Sequence, residues 1–318
     1  MSSSQNYDDL LTNLLKAEEK IKAIVVSLRN GLVIASKMRD EDTHEDIIAA
    51  TTSVFDIFIN RVKKDFGSAN EFINLMTIDQ NKFLFAAAGE KAILSIVADL
   101  EASDKKLKVY GEHIANKIKS LIEYEEIDTS IPQAIHLLAN ARSSSFPSGN
   151  FLKKVIFLGD SQVGKSSIIK KYVENEFDNT YLPTIGMQIS EKTLNMSRDC
   201  QLKFKFWEME SQQHTFSPLR ARFYSDTKLA FIIFDLTRRN TFENVRKWIK
   251  IFSQNFHEHV PFILLGNKSD LPNHEVSRED IEQLQKEMKS IIFSVSAKTN
   301  ENIDDAFKFA AYKIFNVI

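Results

Sequence analysis

The period of the apolar positions changes along this chain, and the changes mark out two blocks of regular structure. In the first, Leu10, Leu14 and Leu15 fall on one face of a predicted helix. Ile24–Leu28 and Leu32–Ser36 read as strands around Arg29-Asn30-Gly31, a hairpin signal. The helical period returns over 47–62, with Ile48, Thr51, Phe55 and Phe58 near one face. Phe72–Ile78, Phe83–Ala88 and Ala92–Ala98 read as strands, with Gly89 in a turn, and Ser103–Ile122 as a closing helix. The order is helix, two strands, helix, three strands, helix, which predicts an α+β domain.

From Phe151 short apolar runs alternate with amphipathic stretches. Val155–Leu158, Leu229–Phe234, Phe262–Leu265 and Ile291–Val295 read as buried strands. Leu202, Phe204 and Phe206 alternate with Lys203 and Lys205, the period of a half-buried strand. A helical pattern opens at Ile168 and Ile169, and others cover Phe242–Phe256, Arg278–Lys289 and Ile303–Phe315. Ser277 and Asp280 have the spacing of a capping box. Strand–helix alternation predicts an α/β domain, a mainly parallel six-stranded sheet with helices on both faces. Its ligands are expected at the carboxyl ends of the strands. Between the blocks, Pro132 with Ile131, Ile135 and Leu138 forms one or two helical turns, and Arg142 to Gly149 reads as turn and linker. The expected domains are 1–125 and 151–318, joined by a linker over 126–150.

Composition narrows the class. The 318 residues include 41 basic and 43 acidic side chains, with 43% hydrophobic and 26% charged residues. These values fit a soluble globular protein and exclude a disordered chain, a collagen-like fibre or a strongly basic nucleic-acid binder. The first 130 residues are net acidic and the remainder net basic, as for two domains that attract one another. A single cysteine, Cys200, excludes an internal disulfide and a cysteine-based zinc site. The polar N-terminus is not a secretory signal, and the longest apolar run, Leu229–Phe234, is far short of the ~20 residues of a spanning helix. Ser2 and the cysteine-free end Phe315–Ile318 predict no lipid anchor, and Cys200 reads as a free thiol in a reducing cytosol, so a cytoplasmic protein is expected. There are only nine glycines, against a usual share of roughly 7%, so each is expected where the backbone requires one.

Two of them bound the decisive motif. Gly159-Asp160-Ser161-Gln162-Val163-Gly164-Lys165-Ser166 fits G-x-x-x-x-G-K-[ST], directly after a strand and before a helix. Such a loop turns successive N–H groups toward phosphate oxygens, and the helix N-terminus adds its positive end. Lys165 is expected to reach the β- and γ-phosphates, and the Ser166 hydroxyl to ligate Mg²⁺. Asn267-Lys268-Ser269-Asp270 follows a later strand. The Asp270 carboxylate can accept from both N1–H and the 2-amino group of guanine, a donor pair that adenine lacks. Asn267 can bond the base edge and neighbouring backbone, and the stem of Lys268 can lie over the ring. Ser296-Ala297-Lys298 follows the next strand, and the Ala297 N–H can donate to guanine O6. An ATP-using P-loop enzyme is disfavoured by Asn267 and Asp270.

In order and spacing these motifs resemble those of small Ras-like GTPases, closest to the Rab type, over residues 151–318. The resemblance implies binding of GTP and GDP with Mg²⁺. It carries the nucleotide site onto Gly159 through Ser166, Ser167, Asn267, Lys268, Asp270, Ser296, Ala297 and Lys298. Tyr181 to Gly186 resembles switch I, in which Tyr181 borders the nucleotide, Thr184 ligates Mg²⁺ and senses the γ-phosphate, and Phe177 packs on the guanine edge. Asp235-Leu236-Thr237 resembles the run after the central strand. One segment departs. Where the family reads W-D-T-A-G-Q, this chain reads Trp207-Glu208-Met209-Glu210-Ser211-Gln212. Glu208 replaces the aspartate that holds Mg²⁺ through water, and it is one methylene longer. Ser211 replaces the glycine whose N–H meets the γ-phosphate, which restricts φ. Glu210 places a carboxylate near an anionic phosphate. Gln212 stands where the family orients the attacking water, and it and Lys165 are the expected catalytic residues. Gln162 replaces a frequent P-loop glycine. Arg220 and Arg222 are weak candidates to complete the site.

The first block carries no chemical motif. His44 and His113 lack paired ligands, and His257-Glu258-His259 in the second block reads as a solvated helix end. The run Ile24 to Ser36 with Gly31, Ile48-Ala49-Ala50, and Phe85 to Ala98 with Gly89 resemble the roadblock family, related to dynein light chains. That resemblance implies a dimerising platform, pairing as a homodimer or with other roadblock or GTPase proteins. The whole reads as a slow GTPase with a built-in roadblock domain. The alternative is a scaffold with a non-switching GTPase fold that binds partners through the roadblock half.

Overall fold

The computed structural model describes residues 3–39, 45–66, 72–123, 127–141, 146–178, 186–209, 223–255 and 260–318. It divides into two compact units, Met1–Asn140 and Ala141–Ile318.

In the first unit, five strands form an antiparallel sheet: β1 (Ile21–Leu28), β2 (Val33–Met38), β3 (Ile73–Ile78), β4 (Asn81–Ala88) and β5 (Ala92–Asp99), in the order β2-β1-β5-β4-β3. The period-2 alternation sends Ala23, Val25 and Val97 to one face, under Ile48 and Ala49 of helix α2 (Glu45–Phe66). The other face carries Leu84, against which Gly111 of helix α3 (Asp104–Ile122) packs so closely that a Cβ would lie 2.6 Å from its Cδ2. Helix α1 (Ser3–Ala17) packs against α3 and buries Leu10, Leu11 and Leu14. Ser103 caps α3 through a bond from the Lys106 N–H.

The inner face of α2 differs from the expected one. Thr51 points outward, and Thr52 is turned in, where its hydroxyl pairs with Ser95 Oγ at 2.7 Å. One turn on, buried Asp56 pairs with Arg29. The side chain of Phe58 lies outside the described residues. After Pro132 the chain forms helix α4 (Gln133–Asn140), which buries Ala134, Ile135 and Leu138 and packs on α3. The Tyr110 hydroxyl and His136 Nδ1 join the two helices at 2.9 Å.

In the second unit, six strands form one sheet: β6 (Gly149–Gly159), β7 (Met187–Asn195), β8 (Cys200–Met209), β9 (Thr227–Asp235), β10 (Phe262–Asn267) and β11 (Ile292–Val295). Their order is β11-β10-β9-β6-β8-β7, parallel except for the β7–β8 hairpin at the edge. The half-exposed side chains of β7 give only a weak alternation, which explains why the pattern did not announce it. The helices are α5 (Lys165–Glu174), α6 (Arg239–Glu243), α7 (Val245–Ser253), α8 (Arg278–Met288) and α9 (Ile303–Ile314). The expected helix Phe242–Phe256 is thus two pieces that meet at Asn244. The capping box at Ser277 is present with both of its reciprocal bonds.

Alternation along the strands gives the sheet two apolar faces. Ile156, Leu158, Ile232 and Phe234 join Trp248 and Leu284 on one. On the other, Phe307 of α9 meets Phe157, Phe206 and Phe231 and stacks on Tyr172 of α5, ring centroids 3.6 Å apart. Phe307 is fully buried at the junction of α5, α9 and three strands. Phe307→Ala is therefore expected to destabilise this unit by about 3–5 kcal/mol. Chemical denaturation followed by tryptophan fluorescence checks it, because both tryptophans lie in this unit.

Candidate functional site

The motif loops converge at the carboxyl ends of β6, β9, β10 and β11. The first runs from Gly159 to Gly164, between β6 and α5, and its backbone is one few side chains tolerate. Gly159, Gln162 and Gly164 have φ of +141°, +65° and +94°. A Cβ on Gly159 would run into the carbonyl of Ile233, and one on Gly164 into Nδ2 of Asn267. Both glycines are therefore obligatory. Gln162 takes a left-handed conformation with a side chain attached, at a strain of about 1–2 kcal/mol.

Asn267, 2% exposed, is the hinge pin of the loops. Its Nδ2 donates to the carbonyl of Val163 at 2.9 Å, and its Oδ1 accepts from the N–H of Ala297 at 3.2 Å. One amide thus ties the first loop to the other two. The Ala297 N–H, read above as a donor to guanine O6, here donates to Asn267. Asp270 Oδ1 accepts from the Ser296 hydroxyl at 2.7 Å, and Lys298 Nζ stands 3.9 Å from Asp270 Oδ2. Ser269 Oγ donates to Glu301 at 2.7 Å, fixing the strand of loop between Lys268 and Asp270. Lys268 has φ +70°, and its ammonium lies 2.7 Å from buried Asp235 Oδ2. Phe177 is 37% exposed.

Lys165 opens α5 and curls back over the loop, donating to the carbonyls of Gly159 at 3.1 Å and Asp160 at 2.9 Å. Burial pushes its ammonium below the ordinary lysine pKa, opposed by the charges of Glu208 and Asp160. The hydroxyl of Ser166 donates to Glu208 Oε1 at 2.8 Å, and Glu208 is buried. A hydroxyl and a carboxylate, both hard oxygen donors, meet at the mouth of the loop, and that donor set suits Mg²⁺. Ser167 follows in the first turn of α5.

The Asp160 side chain does not face the loop interior. Its two oxygens accept from Asn244 Nδ2 at 2.7 Å and Trp248 Nε1 at 2.8 Å. Arg238 donates to the Ser161 carbonyl at 3.0 Å and to Asp235 Oδ2 at 2.9 Å. Asp235 is fully buried. Burial works to raise its pKa, but the bonds from Lys268 and Thr237 outweigh it and hold the carboxyl below the ordinary range. The sequence reading missed Arg238, Asn244 and Trp248. The D-x-T spacing at Asp235, which folds as an Asx turn with Thr237, was the one local signal available. Tyr181, Thr184, Glu210, Ser211, Gln212, Arg220 and Arg222 lie outside the described residues, as do His44 and His257–His259.

Taken together, the arrangement is a cradle for a polyphosphate anion. It has a curled backbone, a helix N-terminus and a buried ammonium, with a carboxylate and hydroxyl pair beside it.

Comparison with known proteins places this geometry. The model of the Ras family matches residues 154–316, and that of the Roadblock/LC7 domain matches residues 7–98. The chain is 32% identical to Ras-related protein Rab-13 of Rattus norvegicus over 164 residues, 51% of this chain and 80% of that protein. It is 33% identical over 171 residues to Ras-related protein Rab-11B of Dictyostelium discoideum, 52% and 77% of the two chains. GTP-binding protein ypt5 of Schizosaccharomyces pombe is 31% identical over 164 residues, 51% and 77%. With a Ras domain over half its length, this chain belongs to the Ras family, and it carries a Roadblock/LC7 domain ahead of that Rab-type GTP-binding domain.

Proposed function

We propose that the chain binds GDP and GTP with magnesium, hydrolyses GTP slowly, and pairs with a second copy through its roadblock unit. The observation that carries the nucleotide reading is the double bond of Asn267, which holds the phosphate loop against the two loops that follow β10 and β11. The bond from Ser296 that steadies Asp270 supports the reading in which this carboxylate selects guanine over adenine.

Magnesium would neutralise charge on the β- and γ-phosphates when bound, and Ser166 and Glu208 are the described residues suited to hold it; the resemblance adds Thr184, which lies outside them. Lys165, already poised over the loop, stabilises negative charge as it develops. In the proposed reaction Gln212 orients a water for in-line attack on the γ-phosphorus. The bond to the β–γ bridging oxygen breaks, GDP carries away that electron pair, and the proton lost by the water passes to the phosphate product and solvent. Ser211 restricts the backbone where the relatives' pattern has glycine, and Glu210 repels the phosphate. Both favour slow turnover. The departures over Glu208–Ser211 favour a second reading, a scaffold that binds partners without switching.

Dimerisation rests on the outer face of α2. Ile47, Val54 and Ile57 are 63%, 69% and 68% exposed on a helix whose opposite face is already buried on its own sheet. An apolar stripe of this kind fits a self-complementary partner surface.

Three outcomes are expected. Denatured preparations release guanine nucleotide, seen by mass spectrometry, and Asp270→Asn weakens GTP binding about a hundred-fold, since each hydrogen bond to the carboxylate is worth about 1.5–3 kcal/mol. Equal competition by ATP in the wild type overturns the guanine assignment. Ser211→Gly raises the single-turnover rate of GTP hydrolysis by roughly ten-fold or more. If it does not, while partner affinity is the same with GDP and GTP, the scaffold reading replaces the switch. Sedimentation of the full chain gives a dimer, and Val54→Asp or Ile57→Asp gives a monomer. A wild type that stays monomeric at tens of micromolar, on the order of the concentrations that populate weak interfaces, rules out the pairing.

A further inference from the structure

The loop from Gly159 to Gly164 is bent against its own preferences. Three of its six residues sit at φ between +65° and +141°, and one of those, Gln162, carries a side chain. A backbone of this kind persists where its surroundings over-determine it. Asn267 and Lys165 supply part of that restraint. A further part comes from a segment outside the nucleotide motifs, the connection from the end of β9 into α7.

Three side chains of that connection grip the loop. Arg238 Nη2 donates to the carbonyl of Ser161 at 3.0 Å. In one peptide plane the carbonyl of residue 161 and the N–H of residue 162 point in opposite directions. A donor on the one therefore turns the other toward the opposite side of the loop. Asn244 and Trp248 hold Asp160 by its carboxylate, at 2.7 and 2.8 Å, one donor on each oxygen. Trp248 is itself packed in the core with Phe234 and Phe252, so its N–H is a fixed donor. Arg238 is held in turn by Asp235, whose Oδ2 also takes the ammonium of Lys268 from the base-selecting loop. One short segment therefore fixes the phosphate loop and the Lys268 loop together.

We propose that Arg238, Asn244 and Trp248 are positioning residues that preorganise the phosphate loop through Ser161 and Asp160, and that Asp160 serves the nucleotide by this anchoring. The inference rests on the nucleotide reading above. It predicts that the loop without its brace spends only part of its time in the binding geometry, so that affinity falls by that fraction.

The test uses the full chain, magnesium and a fluorescent GDP, with association and dissociation followed by stopped flow. Asp160→Ala is expected to weaken binding on the order of ten- to hundred-fold, because two charge-assisted bonds are lost. Asp160→Asn keeps one acceptor and falls between it and the wild type. Trp248→Phe keeps the ring in the core and removes only the donor, so it reads the effect even if Asp160→Ala folds poorly, and about a ten-fold loss is expected. The signature that a general packing defect lacks is coupling. Asp160→Ala with Trp248→Phe is no weaker than Asp160→Ala alone. A wild type that binds GDP while Asp160→Ala and Trp248→Phe bind equally well overturns the brace, as do effects that simply add. A wild type that binds no guanine nucleotide overturns the nucleotide reading, and this inference with it, before any variant is compared.

Discussion

The amide of Asn267 is the contact on which the site depends. It is buried against Gly164 with no room for a Cβ between them, and it spends one end on the Val163 carbonyl and the other on the Ala297 N–H. A buried amide with both ends satisfied is stable, whereas one with an orphaned end costs about 1–3 kcal/mol. The loops after β6, β10 and β11 are therefore mutually conditional, since moving any one of them leaves a polar group of the others unpaired. The parallel sheet delivers the loops to one edge, and Asn267 converts that neighbourhood into a fixed geometry.

Strain concentrates where this closure can hold it. Gln162 and Lys268 are both left-handed non-glycine residues, one in each of the loops that Asn267 and Asp235 secure. Asp235 has no solvent to share its charge, yet it stays ionised because Thr237, Arg238 and Lys268 all donate to it. A buried carboxylate with that many donors is rigid, and rigidity is what a strained loop requires of its neighbour. The roadblock unit is organised by a different constraint. Its sheet is covered on both faces, and α2, which covers one of them, keeps apolar residues on its outer side as well.

Most of the architecture was legible as period. The buried runs at Val155, Leu229 and Phe262 announced parallel strands, and Ser277 with Asp280 announced a helix start that forms with both capping bonds. The phosphate loop was legible because its glycines have no substitute. Three kinds of feature were not legible. Strand β7, an edge strand with half-exposed side chains, has no apolar face to give it away. The inward turn of Thr52 rather than Thr51 depends on a hydroxyl partner, Ser95, 43 residues distant. The grip of Trp248 and Asn244 on Asp160 spans more than 80 residues and joins side chains that each look ordinary where they stand. Local pattern reports what an element does to itself, and these contacts exist only once the sheet has brought distant segments together.

The same distinction separates the two ways in which this chain departs from its relatives' pattern. Glu208 keeps the charge of the aspartate in the pattern that the sequence resembles, and its carboxylate accepts directly from the Ser166 hydroxyl at 2.8 Å. It also sits close enough to Lys165 for its charge to oppose the effect of burial on that ammonium. A buried anion and a buried cation each reduce the penalty of desolvating the other, so Glu208 is accommodated by groups that any phosphate loop already contains. Under the proposed function, Ser211 and Glu210 bear on a different step. A serine there would narrow the conformations of a backbone that moves with the γ-phosphate, and a glutamate would add a charge of the wrong sign near it. On that proposal Glu208 bears on how the site would hold a metal and a nucleotide, and the other two on what would follow. Binding and switching would then answer to different residues, and a chain can retain the first while losing the second.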